Sequence, residues 1–260
     1  MTMVSQDAAR RWITRWDRQQ EGYVPEREDR FTTLIDAVEL TAGREDPLVV
    51  DLGCGPGSLA ARLLDRLPRA TVVAVDADPM LLGLGRAAYE GTPGLRFTEL
   101  DLAAPGWAAR LGLDRPADAA VSTTALHWMR PDQLRAMYAE LATVLRPGGV
   151  VLNGDNLSVE DASPALGRLE HALLERRTAR RFAGDQPEDW AAWWAEFTTD
   201  PELSELIARH LGDTRGGSAH GSPSGLLSTH VEALSAAGFA EIGPVWQHGN
   251  DRVLCGVLPG

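Results

Sequence analysis

The chain has 260 residues, 25 Lys and Arg against 37 Asp and Glu, a formal net charge of −12 and 44% hydrophobic residues. That length supports one large domain, or one domain with a sizeable insertion, and a core that needs no staples. Neither a disordered nor a membrane-embedded chain fits the composition, and the acidic balance weighs against nucleic-acid binding, whose affinity comes from Lys and Arg on phosphates.

The N-terminal residues mix Arg, Asp and Gln with apolar side chains and have no signal-peptide core. No stretch approaches the roughly 18 apolar residues of a membrane span, so a cytoplasmic chain is expected. Residues 5–18 read as an amphipathic helix on Ala9, Trp12, Ile13 and Trp16, broken at Gly22 and Pro25. A second helix over 26–40 carries Phe31, Leu34, Ile35 and Val38 and ends at Gly43, with Glu26, Glu28 and Arg30 read as solvated. Apolar runs at 48–52, 71–75, 95–100, 119–122 and 150–152 then alternate with helical segments at 58–67, 79–90 and 132–145. Strands apolar nearly throughout, alternating with helices, predict a doubly wound α/β fold with a parallel sheet covered on both faces.

After Asp155 the alternation stops and residues 160–211 are helical in character. Leu166, Leu169, Leu173 and Leu174 form one stripe. Trp190, Trp193, Trp194 and Phe197 form another, expected to be core rather than pocket. Arg176, Arg177, Arg180 and Arg181 read as a solvated face or as an attractor of an anionic substrate. Residues 212–225 are rich in Gly and Ser and predict a mobile loop, flanked by His220 and His230, that could close over a substrate. A helix follows at 227–237, and runs at 241–247 and 252–258 predict an antiparallel hairpin on the sheet edge. The histidines and acids show no metal-ligand spacing, and Cys54 and Cys255 form no CxxC pair, so no metal is expected.

The chemistry is concentrated in Asp51-Leu-Gly53-Cys54-Gly55-Pro-Gly57-Ser58, where a strand feeds a glycine-rich turn that opens a helix. Glycines allow a sharp turn and close approach of a ligand, and the helix start offers free N–H groups. A dinucleotide would require GxGxxG, but here the third glycine comes one residue early and Ser58 stands in its place. Asp51 would repel a pyrophosphate and suits a ligand with a positive group. Cys54 reads as a small filler.

This motif resembles the first motif of class I S-adenosylmethionine-dependent methyltransferases, and four further motifs follow in the family's order. Val72-Val-Ala-Val-Asp76 is similar to the second strand, Glu99-Leu-Asp101-Leu102 to the acidic turn after the third, Ala117-Asp-Ala-Ala-Val-Ser122 to the fourth strand, and Leu145-Arg-Pro-Gly-Gly149 to the turn before the fifth. The resemblance covers about residues 45–155 and the C-terminal hairpin. It implies a Rossmann-like, mostly parallel seven-stranded sheet with an antiparallel last strand. It also implies that Asp76 binds both ribose hydroxyls, that Asp101 receives the adenine amino group, and that the Leu102 N–H faces the ring. Ala77 or Met80 would cover the adenine, the Gly53 and Ser122 carbonyls would approach the methionine amino group and the sulfonium, and Tyr23 and Arg27 would cover the methionine end.

Ser122-Thr-Thr-Ala lacks the acid-or-Asn, Pro, Pro, aromatic signature of DNA amino methyltransferases. Ser122-Thr-Thr-Ala-Leu-His127-Trp128 is instead similar to a small-molecule group that includes the trans-aconitate methyltransferases. The resemblance thus implies methyl transfer to a small organic molecule by in-line displacement, and an oxygen acceptor is favoured because His127 and His220 could serve a hydroxyl. Carboxyl methylation of the trans-aconitate type and a non-catalytic S-adenosylmethionine-binding module are the alternatives. His127 is either a general base or packing beside Trp128. Residues 1–44 are expected to cover the site, 45–157 with 226–260 to form the cofactor-binding core, and 158–225 to form a helical cap with a mobile loop.

Overall fold

The computed structural model describes residues 4–210 and 224–260. His220 and most of the Gly/Ser segment lie outside the described residues. The strands are β1 (Leu48–Leu52), β2 (Thr71–Asp76), β3 (Leu95–Glu99), β4 (Ala117–Thr123), β5 (Leu145–Asn156), β6 (Glu241–His248) and β7 (Asp251–Val257). They form one seven-stranded sheet in the order β3-β2-β1-β4-β5-β7-β6. All neighbours from β3 to β5 are parallel, while β7 runs antiparallel to β5 and to β6. The expected hairpin therefore adds the single reversed strand. Its outer member, β6, carries Pro244 at a register shift, where an edge strand tolerates a missing donor.

Helices α1 (Gln6–Glu21) and α2 (Arg27–Ala42) precede the sheet, and α3 (Ser58–Arg66), α4 (Pro79–Ala88) and α5 (Pro131–Ala142) connect its strands. Alternation along β1 feeds both faces. Leu48, Val50 and Leu52 join Val73, Val75 and the α5 residues Leu134, Met137 and Tyr138. Val49 joins Val72 and Ala74 against Phe31, Leu34 and Val38 of α2 and Leu59 and Leu63 of α3. This two-sided burial explains why the strands lack a polar face. Local signals set the ends: Ser5 Oγ accepts the Ala8 N–H at 3.2 Å to start α1, and Gly43, in the left-handed region, ends α2.

Two expectations shift. β5 begins at Leu145, so Arg146-Pro-Gly-Gly149 lies within the strand's irregular start. Leu145 pairs with Ala117, and the ladder resumes at Val150 opposite Ala119 after a bulge. The second shift concerns α6 (Pro164–Arg181). Its leucine stripe is not core: Leu166, Leu169 and Leu173 are exposed. The helix is fastened through polar contacts with the hairpin instead. Buried Glu170 pairs with Arg252 at 2.5 Å, and Arg177 donates to the His248 carbonyl at 3.0 Å.

The remaining helices are α7 (Trp190–Phe197), α8 (Ser204–His210) and α9 (Leu227–Ala236). Trp12 and Ile13 of α1, Leu81 and Leu84 of α4, Trp193 and Phe197 of α7 and Leu206 of α8 make a third core. It fixes α1 and α7 beside the end of β2. Among the described residues no helix is long and apolar enough to cross a membrane.

Candidate active site

Strand order reverses between β1 and β4, and a crevice at the carboxyl ends of the strands is the expected ligand site in such sheets. A cavity of about 410 Å³ lies there, within the roughly 300–1,000 Å³ of small-molecule sites. Gly53, Cys54 and Gly55 wall it after β1, Asp76 and Ala77 after β2, Asp101 and Leu102 after β3, and Thr123 to Leu126 after β4. Trp16 and Gln20 of α1 and Trp190 and Trp194 of α7 complete it from the helical side.

The loop after β1 needs its glycines. Gly53 and Gly57 have φ of 69° and 88°, the left-handed region. A Cβ on Gly53 would collide with the Ala125 methyl, and one on Gly57 would stand 2.7 Å from the Phe97 ring. The turn thereby delivers the Gly55 N–H to Asp76 Oδ2 at 2.8 Å, while Asp76 Oδ1 accepts the Asp78 N–H at 2.9 Å. A carboxylate has about four lone-pair sites, so Asp76 keeps acceptor capacity toward the cavity it lines. Burial raises its pKa, and those backbone N–H groups oppose the rise.

Asp51 stands behind this wall. It is fully buried, and neither carboxylate oxygen has a hydrogen-bond partner. Burial, reinforced by the charge of Asp76, pushes its pKa up to about 7. Burial also holds the Cys54 thiol well above its ordinary value, which suits a filler and not a nucleophile.

The β4 end has its own polar scaffold. Thr124 adopts a φ of 56°, unusual for a β-branched residue. Its N–H donates to the Gly154 carbonyl at 2.9 Å, and its hydroxyl accepts from Arg30 Nη1 at 2.9 Å. The same Nη1 reaches Thr123 Oγ1 at 3.1 Å and the Gly154 carbonyl at 3.0 Å, and Nε donates to Asp251 Oδ1 at 2.8 Å. Arg30 is therefore not solvated, as its helix position suggested, but wholly buried. Nearby, His127 Nδ1 lies 2.9 Å from both oxygens of buried Asp155. Burial lowers the pKa of His127, but the charge and hydrogen bond of Asp155 outweigh it and the net shift is upward. Asp155 moves down: burial opposes its ionisation, and His127 and Arg30 overcome that.

Comparison with known proteins fits this site. A family model described as "Methyltransferase domain" matches residues 49–149. A trans-aconitate 2-methyltransferase of Azoarcus sp. (strain BH72) is 35% identical over 85% of this chain and 83% of its own length. The chain belongs to the S-adenosylmethionine-dependent methyltransferases. A second trans-aconitate 2-methyltransferase, from Deinococcus radiodurans, is 31% identical over 89% of this methyltransferase and 71% of its own length. Among solved structures, an O-methyltransferase family protein from Burkholderia thailandensis superposes with a TM-score of 0.58 at 19% identity, covering 98% of this chain and 63% of that one. Human N-acetylserotonin methyltransferase in complex with SAM gives 0.56 at 17% identity, over 95% and 57%. These two share the fold.

The methyltransferase's wall residues suit S-adenosylmethionine. Asp76 offers charged acceptors in the cavity, Asp101 is steadied by the Ala103 N–H at 2.9 Å, and Leu81, Leu100 and Leu102 give the apolar surface an adenine requires. Gly53, Cys54, Gly55, Asp76, Ala77, Asp101, Leu102 and Arg27 come together on one cavity. Asp51, Gly57, Met80, Ser122 and His127 do not line it. Met80 packs under α1, and Leu81 one residue on reaches the wall in its place. The Ser122 hydroxyl is turned to the Leu52 carbonyl at 2.8 Å. Tyr23 also lies off the wall, its hydroxyl accepting the Trp190 N–H at 3.2 Å. Arg27 arrives already paired with Asp17 at 2.8 Å.

The tryptophan stripe divides. Trp193 and Phe197 are fully buried core, whereas Trp190 and Trp194 face the cavity. The basic run does not line the cavity: Arg177 and Arg181 lie 3.7 Å from Glu26. His230 is buried with its Nε2–H donating to the Ser224 carbonyl at 2.8 Å, which leaves Nδ1 to accept from Tyr138 at 2.9 Å. It anchors the residue after the undescribed segment. Asp155 and Arg30, which support the β4 end from behind, carried no motif. Only the helical register of α2 pointed to Arg30, which lies four residues before Leu34.

Proposed function

We propose that this methyltransferase methylates a carboxylate oxygen of a small carboxylic acid. The observation that carries the proposal is the His127–Asp155 pair: the imidazole is not itself on the wall, but it is 12% exposed and stands in the chain between Leu126 and Trp128, which are. A hydroxyl or amine acceptor must give up a proton, which the same pair would take with its imidazole neutral. A carboxylate needs no base and is well held by an imidazolium through a charge-assisted hydrogen bond. The trans-aconitate 2-methyltransferases among the relatives are named for a carboxylic acid.

Bound S-adenosylmethionine supplies a methyl group on a sulfonium, from which a neutral sulfide departs. The chain's own residues bind and orient. Asp76 accepts the ribose hydroxyls, Asp101 takes the adenine amino group, and Ala77 and Leu81 cover the ring. His127, fixed in rotation by Asp155, orients the acceptor, and alignment then supplies much of the rate.

Incubation with methyl-labelled S-adenosylmethionine and a pool of small carboxylic acids is expected to yield label that mild alkali releases as volatile methanol, as from a methyl ester. Label stable to alkali would sink the carboxylate reading.

The pH dependence has a definite sign. Against burial, Asp155 raises the His127 pKa and so favours its cation. kcat/KM for the acceptor is expected to fall as pH rises through that pKa. Asp155→Asn removes the charge and leaves a neutral acceptor against the burial, so the fall should move to lower pH. A base role predicts the opposite, activity rising with pH through the same transition, and a pH profile of both proteins separates the two.

A further inference from the structure

We infer that Ser224 and His230 are positioning residues for methyl transfer: Ser224 clips the turn that carries Trp128 along the acceptor end of the cavity, and His230 holds Ser224. The inference rests on Asp76 and Asp101 seating the cofactor, as proposed above, and on no choice of acceptor atom.

Leu126, Trp128 and Met129 line the cavity from a single 3₁₀ turn, Leu126–Trp128, that follows β4. A turn this short has few internal bonds and poor hydrogen-bond geometry. The Trp128 N–H reaches the Ala125 carbonyl at 3.3 Å and the Met129 N–H the Leu126 carbonyl at 3.1 Å. Two further carbonyls of the turn are held from elsewhere. The Ser224 N–H donates to the His127 carbonyl at 3.3 Å, and Ser224 Oγ donates to the Met129 carbonyl at 2.8 Å. One wholly buried residue thus grips the chain on both sides of Trp128, across 95 residues of sequence. Ser224 is braced in turn. The Ser158 N–H donates to the Gly225 carbonyl and the Leu227 N–H to the Ser158 carbonyl, both at 2.8 Å, so the chain after Ser224 is stitched to the end of β5. The Ser224 carbonyl accepts the His230 Nε2–H at 2.8 Å, and Tyr138 of α5 donates to Nδ1 at 2.9 Å. The buried imidazole is a fixed bridge from α5 and α9 to the clip.

Sheet order assigns the clip to the acceptor. Asp76 and Asp101 stand at the ends of β2 and β3, on one side of β1. The turn after β4 leans the other way, toward β5: the Thr124 N–H donates to the Gly154 carbonyl at 2.9 Å, and His127 Nδ1 lies 2.9 Å from Asp155. Trp128 is 50% exposed and is the large apolar surface this turn offers a ligand. In-line displacement demands that the acceptor be aligned, and a misplacement of about 1 Å can cost roughly 10²-fold in rate. A wall hung on a short turn meets that demand only if the turn is fixed from outside, which is what Ser224 does.

The test joins three measurements on the full chain: calorimetric titration with S-adenosylhomocysteine, initial rates of label transfer from methyl-labelled S-adenosylmethionine to a subsaturating pool of small carboxylic acids, phenols and amines, and amide hydrogen exchange over residues 124–131. Ser224→Ala removes one hydroxyl and keeps the backbone bond, so the fold stands. It is expected to speed exchange at Trp128 and Met129, to lower the rate about tenfold and to leave S-adenosylhomocysteine affinity unchanged. His230→Gln keeps an N–H for the Ser224 carbonyl and an oxygen for Tyr138, and should retain most of the rate. His230→Leu fills a similar volume without either bond, and should fall at least as far as Ser224→Ala. A packing role would reverse that order, since leucine suits an apolar site better than glutamine. Exchange at Trp128 and Met129 equal to the parent's overturns the inference whatever the rates. So does a loss of S-adenosylhomocysteine affinity that matches the loss of rate, or a His230→Leu protein as active as His230→Gln. Failure of Asp76→Ala to weaken S-adenosylhomocysteine would instead strike the cofactor seat on which the inference stands.

Discussion

Asp76→Ala is expected to weaken S-adenosylhomocysteine binding by roughly 10²- to 10⁴-fold, the equivalent of two charge-assisted hydrogen bonds at about 1.5–3 kcal/mol each. Each carboxylate oxygen already accepts one backbone N–H, from Gly55 and from Asp78, so the side chain is held in place before any ligand arrives. That preorganisation is why little of the binding energy is lost to ordering the group. The substitution also removes the acceptor that steadies the glycine turn, so a second variant separates the two effects. Asp76→Asn keeps one oxygen acceptor and the side-chain shape but loses the charge, and its affinity should fall between those of the parent and the alanine variant. Isothermal titration reads both, with denaturant unfolding as a control for the loop. Unchanged affinity in Asp76→Ala would remove the ribose assignment.

What the sequence made legible was carried by local signals. Alternating apolar runs and helices specify the parallel sheet, since a strand buried on both faces has no polar side to show. The glycine turn was legible because φ values such as that of Gly53 admit few other residues. The acids at strand ends were legible by order alone. What was missed depends on elements far apart in the chain. Arg30 meets Asp251 across 221 residues, and His127 meets Asp155 across 28. Hydropathy treats a buried arginine as a surface residue, although Arg27, Arg30, Phe31, Leu34, Ile35 and Val38 form one continuous buried stripe on α2. The leucine stripe of α6 misled for the converse reason: Glu170, Arg177 and the hairpin decide which side faces inward, and the leucines stay out. The tryptophans of α7 fell on both sides of the core-or-pocket choice because the helix is one layer thick. Trp193 looks toward Trp12 of α1, with ring centroids 5.4 Å apart, while Trp190 and Trp194 look toward the cavity.

Arg30→Met is expected to cost about 3–5 kcal/mol of stability, the usual cost of breaking a buried ion pair from one side. The guanidinium is wholly buried, spans α2, β4, β5 and β7, and donates to Asp251, Thr123, Thr124 and the Gly154 carbonyl. Methionine fills much of the volume but takes the guanidinium donors from Asp251 and the two threonine hydroxyls, while the Gly154 carbonyl keeps the Thr124 N–H. Asp251 carries the diagnostic. Burial already raises its pKa, and Arg30 is the first influence opposing that rise. Without Arg30 the folded state should bind a proton on Asp251 that the unfolded chain has lost. Stability then increases as pH falls, and the deficit should be smaller near about pH 5 than near about pH 8. Urea unfolding of both proteins at the two pH values measures it, and a pH-independent deficit would count against the ion pair as the cause. Arg30→Met combined with Asp251→Leu removes both charges, and much of the stability should return, because a buried pair replaced by apolar groups is often neutral. Methyl transfer should not return with it. Thr124 would still hold its left-handed φ with no donor beneath its hydroxyl, and the β4 wall that seats the acceptor would lose its support. Recovery of stability without recovery of activity would separate the arginine's part in the fold from its part in shaping the site.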